Sequence, residues 1–157
     1  MVKRHPLSKK DKKRLLEKLA EIMAVDLDEK VVEYYSDGKV EGYLVEGKPL
    51  AILVNGVLIP HLKAVYQGVH VNLPKVYVDE GATRALLRGA DLMVPGVKKI
   101  EGSFKNGDLV LVIDEKSNKP VAIGEAVISS EILESLSEKR GKILRILHHV
   151  GDSYWDI

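Results

Sequence analysis

Cysteine is absent from the 157-residue sequence. That single absence removes disulfides, thiolate nucleophiles, zinc knuckles and iron–sulfur sites together, and it points to a reducing, intracellular setting. No apolar run approaches the roughly 18 residues of a membrane span. The charged N-terminus lacks the apolar centre of a signal peptide, so no secretory leader is expected. Glutamine is scarce beside abundant Lys and Glu, a composition that leans towards thermophile proteins.

What remains is globular. Apolar residues make up 45% and charged residues 30%, which excludes a disordered chain and suffices for one compact domain or two small ones. The formal net charge of +1 hides an uneven distribution. Lys3, Arg4, Lys9, Lys10, Lys12, Lys13 and Arg14 stand against Asp11 in the first 14 residues, a local +6, and the rest of the chain is slightly acidic. Such a basic arm suits a polyanion anchor, and equally a solubilising helix start.

Leu15, Leu16, Leu19, Ile22 and Met23 keep the spacing of one helical face, with Ser8 placed to cap it. This predicts a helix over 8–24. From Val31 the texture becomes short β-like runs cut by turns. Asn55-Gly56 between two apolar runs predicts a hairpin with a type I′ turn, and a short helix is expected near 61–66. The first unit, 1–74, is therefore read as a helix packed on an antiparallel meander. In the second unit, 75–157, a strand at VYV leads to Asp79 as an N-cap and a helix over 80–88 that stops at Gly89. Strands follow near 99–104, at DLVLVID, PVAIGEAVI and KILRILHHV, with a last strand at SYWDI and a short helix capped by Ser129 or Ser130. Several short strands with regular turns imply a closed or nearly closed small barrel with helices over its openings, an α+β fold overall.

Catalytic motifs do not assemble. Gly42–Lys48 fits the first seven positions of a phosphate-binding loop, but Pro49 stands where a magnesium-binding Ser or Thr is required. The apolar strand ending in Asp114 has the look of a magnesium-binding strand, and a core strand explains it equally. His148 and His149 are adjacent on a predicted strand, so they face opposite ways and do not share a metal. One is expected partly buried and the other exposed. No G-x-S-x-G occurs. The expectation is a protein that is not an enzyme, with no metal and no cofactor.

The helix Asp79-Glu-Gly-Ala-Thr-Arg-Ala-Leu-Leu-Arg-Gly89 followed by Ala-Asp-Leu-Met-Val-Pro-Gly-Val97 resembles the signature of the PUA domain, the small RNA-binding barrel of pseudouridine synthases and archaeosine transglycosylases. Lys105–Asp108, Val121–Gly124 and Gly151–Trp155 fall in the order that the family shows. With Pro60–Lys63 and Leu73-Pro74 ahead of it, the chain is similar to the malignant T-cell-amplified sequence family, as an archaeal-type member. The fold implied is an N-terminal helix-on-sheet unit, then a PUA-type β-barrel with short helices. The function implied is cytoplasmic RNA binding in translation, at the small ribosomal subunit or the tRNA acceptor end, during initiation, reinitiation or recycling. The partners implied are tRNA or rRNA and a density-regulated-protein-like subunit, although cysteine-containing segments of eukaryotic members have no counterpart here.

Carried onto this sequence, the RNA face comprises Arg84 and Arg88, Gly89, Ala90, Asp91, Met93, Pro95 and Gly96, with Lys98 and Lys99 beside it and Gly151, Asp152 and Tyr154 from the chain's end. Arginines four apart emerge on one helix face and suit phosphates. Gly89 and Ala90 leave the main chain open to close approach. Asp91 suits a base amino group or ribose hydroxyl, or else the backbone of the preceding turn. An alternative is an accessory module that guides an RNA-modifying enzyme such as a pseudouridine synthase.

Overall fold

A computed structural model describes residues 1–157 as thirteen strands, four α-helices and one 3₁₀ turn. Two compact units are present, Met1–Asn72 with Ser153–Ile157, and Leu73–Asp152. The change of unit lies close to the boundary read between 74 and 75, but the last five residues group with the first unit.

The first unit runs β1 (Lys3–Pro6), α1 (Lys9–Leu19), β2 (Met23–Ala24), β3 (Val32–Ser36), β4 (Glu41–Val45), β5 (Lys48–Val54), β6 (Val57–Pro60), α2 (Leu62–Tyr66) and β7 (His70–Val71). Ser8 caps α1 by accepting from the Asp11 N–H at 3.1 Å. The helix ends five residues earlier than its apolar spacing predicts. Ile22 N–H turns back to the Leu19 carbonyl, and Met23 and Ala24 pair with β7, so the side chains keep facing the core while the backbone leaves the helix. Leu15, Leu19, Met23, Leu27, Val32, Leu50, Ala51 and Ala64 form that core.

The predicted meander is an antiparallel sheet of order β1-β3-β4-β5-β6. Its edge strand β1 is not foreseen by the sequence pattern. Lys-Arg-His-Pro has little strand character of its own and is held by pairing with β3, as edges rich in charge and proline are. Asn55 and Gly56 adopt φ of 51° and 79°, the positive pair that a type I′ turn requires. Gly42–Lys48 forms β4 and its hairpin turn into β5, so no helix follows it and no phosphate loop exists there. Residues 153–157 are turns, not the expected strand. Their anchor is His61, fully buried, whose Nε2 donates to the Tyr154 carbonyl at 2.8 Å while Nδ1 accepts from Lys63 N–H at 2.9 Å.

The second unit runs β8 (Lys75–Val78), α3 (Glu80–Leu87), β9 (Leu92–Met93), β10 (Val97–Glu101), β11 (Leu109–Asp114), β12 (Pro120–Ala126), α4 (Ser130–Ser135) and β13 (Lys142–His149). Its sheet has the order β10-β8-β11-β12-β13-β9, with β8 and β11 parallel and the other pairs antiparallel. The two end strands, β9 and β10, are separated in sequence by the 3₁₀ turn Val94–Gly96 alone. The sheet must therefore curl until its edges nearly meet, which makes it a nearly closed barrel. Val76, Val78, Leu86, Leu92, Val110, Val112, Ala122 and Leu144 are among the side chains that fill it. No helix in either unit is long and apolar enough to cross a membrane.

Candidate nucleic-acid interface

Helix α3 is fixed at both ends by its own sequence. The Asp79 carboxylate accepts from Ala82 N–H at 2.8 Å, which satisfies one of the unpaired donors of the first turn. From mid-helix, Thr83 donates its hydroxyl to Asp114 at 2.6 Å, and the second oxygen of Asp114 accepts from Ser117 N–H at 2.8 Å. These bonds hold the nearly buried Asp114 carboxyl below the ordinary carboxylate range. Both of its oxygens serve the fold, which accounts for an aspartate at the end of an apolar strand.

At the other end, Gly89 N–H donates to the Leu86 carbonyl and Ala90 N–H to the Ala85 carbonyl, the two bonds of a Schellman stop. Gly89 takes φ +95°, where a side chain is strained. Arg88, Gly89 and Ala90 are all exposed, so the bare main chain of the stop faces solvent.

Asp91 then turns inwards. One oxygen accepts from Ile146 N–H at 2.8 Å and the other meets Lys142 Nζ at 2.8 Å. Burial works against its charge, but the Lys142 ammonium and the Ile146 amide outweigh it and hold the carboxyl below its usual range. Of the two roles open to Asp91 from sequence, the backbone bond is present, though to β13 and not to the preceding turn. Leu92 and Val94 are buried, while Met93 between them is exposed, the alternation of a strand with one wet face. Gly96 has a packing reason: a Cβ there would lie 2.6 Å from the Cβ of Ala82, so glycine lets the turn close onto α3. Between α3 and this turn lies a cleft of about 260 Å³ whose lining includes Ala82, Ala85, Met93, Pro95, Asp79 and Asp91.

Asp91, Met93, Pro95 and Gly96 thus gather at one cleft, and Arg88 to Ala90 lead into it along the chain. Arg84 is exposed and pairs with Glu80 at 3.0 Å. Lys98 and Lys99 line a neighbouring groove with Pro95, Ile100, Leu133 and Lys139, and Lys99 sits 4.3 Å over the Tyr77 ring. The candidate residues near the chain's end divide. Gly151 and Asp152 belong to a turn after β13, and Asp152 is spent on His148 Nδ1 at 3.0 Å and the His149 N–H at 2.8 Å. Tyr154 lies in the first unit.

Sequence reasoning does not single out His149 as a site residue. His148 is fully buried and His149 half-buried rather than exposed, because the His149 ring folds back. Its Nδ1 donates to the Val150 carbonyl at 2.9 Å, and its Nε2 stands 4.0 Å from where a Gly89 Cβ would be. The alternation of side chains along β13 separates the two histidines, but only tertiary structure brings one beside Gly89.

Residues 74–150 match the PUA domain, and residues 3–67 match a domain of unknown function, DUF1947. Translation machinery-associated protein 20 of Saccharomyces cerevisiae is 30% identical over 126 residues, covering 76% of this chain and 68% of the yeast protein. The chain belongs to this family of PUA-domain proteins. An uncharacterized protein of Methanocaldococcus jannaschii is 35% identical over 98% of the chain and 96% of its own length. The crystal structure of a PUA-domain protein from Aeropyrum pernix, solved as a tartrate complex, superposes with a TM-score of 0.86 at 33% identity, over 99% of this chain and 90% of that one. A shorter stretch is also similar to a probable tRNA pseudouridine synthase B of Pyrococcus furiosus, 40% identical over 70 residues, which are 45% of this chain and 20% of that enzyme. The family assignment agrees with the resemblance read from the signature between Asp79 and Val97. The PUA domain is an RNA-binding module, and α3 with its glycine stop is the part of it that the signature describes.

Proposed function

We propose that this chain is a cytoplasmic, non-enzymatic RNA-binding protein of translation, acting at the small ribosomal subunit or the tRNA acceptor end. The observation that carries this reading is the stretch from Arg84 to Gly96, where the exposed main chain of Gly89 and Ala90, two exposed arginines and a small cleft follow one another in a PUA domain. A sugar–phosphate backbone can approach the exposed main chain of Gly89 and Ala90, with only the Ala90 methyl and the nearby His149 ring beside it. Arg88 makes no ion pair, and the surface pair of Arg84 with Glu80 is worth only about 0.3–0.5 kcal/mol, so both guanidiniums are available to phosphates. The name of the yeast relative supports the translation part of the reading. A partner resembling density-regulated protein belongs to the same proposal.

The test is titration of tRNA and of small-subunit rRNA fragments with the full chain, across a salt series. Arg84→Glu with Arg88→Glu is expected to weaken binding and to lower the salt slope by roughly one unit for each phosphate no longer neutralised. Unchanged affinity would show that the proposed face is wrong. The similarity to a pseudouridine synthase keeps a second reading, that of an accessory module for an RNA-modifying enzyme. Co-purification with such an enzyme, and not with ribosomal particles, would favour it.

A further inference from the structure

The basic N-terminal stretch is not absorbed by the α3 face, and in the first unit it is folded. Helix α1 buries Leu15 and Leu19 and turns Lys9, Lys10, Lys13, Arg14 and Lys18 to solvent. Arg14 approaches Asp11 at 3.9 Å, and none of the four lysines holds an ion pair. Lys9 with Lys13, Lys10 with Arg14, and Arg14 with Lys18 are like charges one turn apart, an arrangement that costs an isolated helix stability. Only Asp11 and Glu17 oppose them on the exposed surface of the helix. An anion laid along α1 would relieve this repulsion.

Beside Arg14 and Lys18, a cleft of about 370 Å³ opens between α1 and the sheet, within the size range of small-ligand sites. Its sheet wall is a row of rings, because His5, Tyr34 and Tyr43 are direct cross-strand neighbours on β1, β3 and β4. Their ring centroids are 5.3 Å and 5.9 Å apart. His5 is exposed and both tyrosines are half-buried. The Tyr34 hydroxyl donates to Glu41 at 2.6 Å, which fixes that ring, and Glu33 is held by Arg4 at 2.9 Å. Those two sheet carboxylates are therefore engaged, and the one carboxylate that lines the cleft, Asp11 on α1, lies 3.9 Å from the Arg14 guanidinium.

We propose that this surface is a second RNA site, on the first unit, for a single-stranded segment whose phosphates follow α1 while one base enters the cleft against Tyr34. Cations that track a backbone beside rings that stack a base are the two parts of single-strand recognition. An acidic peptide would use the lysines and leave the rings unfilled. The inference rests on the RNA-binding reading above and adds a site that the α3 face does not include.

The experiment is titration of the full chain against a short fluorescent oligouridylate over a salt series, with tRNA in parallel. Lys10→Glu with Lys13→Glu and Lys18→Glu, all exposed positions, is expected to weaken oligouridylate binding at least about tenfold. The same variant should lower the salt slope by about two, since each neutralised phosphate of a single strand contributes about 0.7. Tyr34→Leu should weaken binding about fivefold or more with the slope unchanged, and Tyr34→Phe, which keeps the ring but releases Glu41, should bind more tightly than Tyr34→Leu. If the triple variant binds unchanged while Arg84→Glu with Arg88→Glu does not, the second site is wrong and the α3 face stands. If the parent binds neither RNA at low salt, the RNA reading fails and this inference with it. If polyglutamate competes fully and Tyr34→Leu has no effect, the surface belongs to an acidic protein partner and the proposal is overturned.

Discussion

Helices α1 and α3 are built alike at their starts and differ in what they leave uncovered. Each begins at a side-chain cap, Ser8 or Asp79, and each packs on a core, α1 through Leu15 and Leu19 and α3 through Leu86. Helix α3 then ends in a Schellman stop and presents main chain, with Arg84 and Arg88 beside it. Helix α1 presents side-chain charge, with a row of rings below. In the roles proposed above, the first face would work by shape and close approach, and the second by a field and stacking. The PUA signature describes the first, because that face depends on where glycines must stand. Nothing about charge alone demands a fixed position, so the second face leaves only a compositional trace.

The comparison breaks most sharply at Gly96. Gly96→Leu should cost about 2–3 kcal/mol of stability in urea unfolding, since the turn cannot close on Ala82. Amide exchange in α1 should be unchanged, and equal loss of protection in both helices would mean that the units do not respond separately. Asp114→Ala, which frees Thr83 and the turn after β11, should cost about 2 kcal/mol at neutral pH. The pH dependence has a definite sign. The Asp114 carboxyl is lowered in the folded state, so its contribution is full above the unfolded value of about 3.9 and is lost as pH falls through the lower folded value. The variant and the parent should therefore converge in acid, and a constant difference down to the lowest pH would contradict the assignment.

Smaller effects sharpen the contrast. Gly89→Val should cost about 1–2 kcal/mol through its left-handed backbone, and it should weaken tRNA binding about tenfold by covering the main chain. Loss of stability with no loss of affinity would make Gly89 a purely structural stop. Ser8→Ala should cost about 1 kcal/mol through removal of its cap, read as earlier unfolding of α1 with the tRNA affinity of the α3 face retained.

Legibility in the sequence follows the same division. The caps Ser8 and Asp79, the Asn55-Gly56 turn and the Gly89 stop are readable because each needs a particular residue at a particular backbone geometry. The cap of α4 is open in the sequence between Ser129 and Ser130, and it falls on Ser129. Strand β1 is not readable, because its partner and not its own propensity holds it. The end of α1 at Leu19 is hidden because Ile22 and Met23 keep the helical spacing while their backbone does not. Residues 153–157 look like a strand by composition, yet His61 and local turns take their hydrogen bonds. Within the candidate site, Asp91 has the chemistry of a ligand group and is in fact tied to Ile146 and Lys142. His149 stands beside Gly89 through a tertiary approach that spacing does not reveal.

The most direct test is ultraviolet crosslinking of the full chain to tRNA, followed by identification of the crosslinked peptides. Crosslinks within residues 84–96, together with the segment around His149, are the predicted result. Crosslinks confined to other parts of the second unit, with residues 84–96 unmodified, would contradict the account.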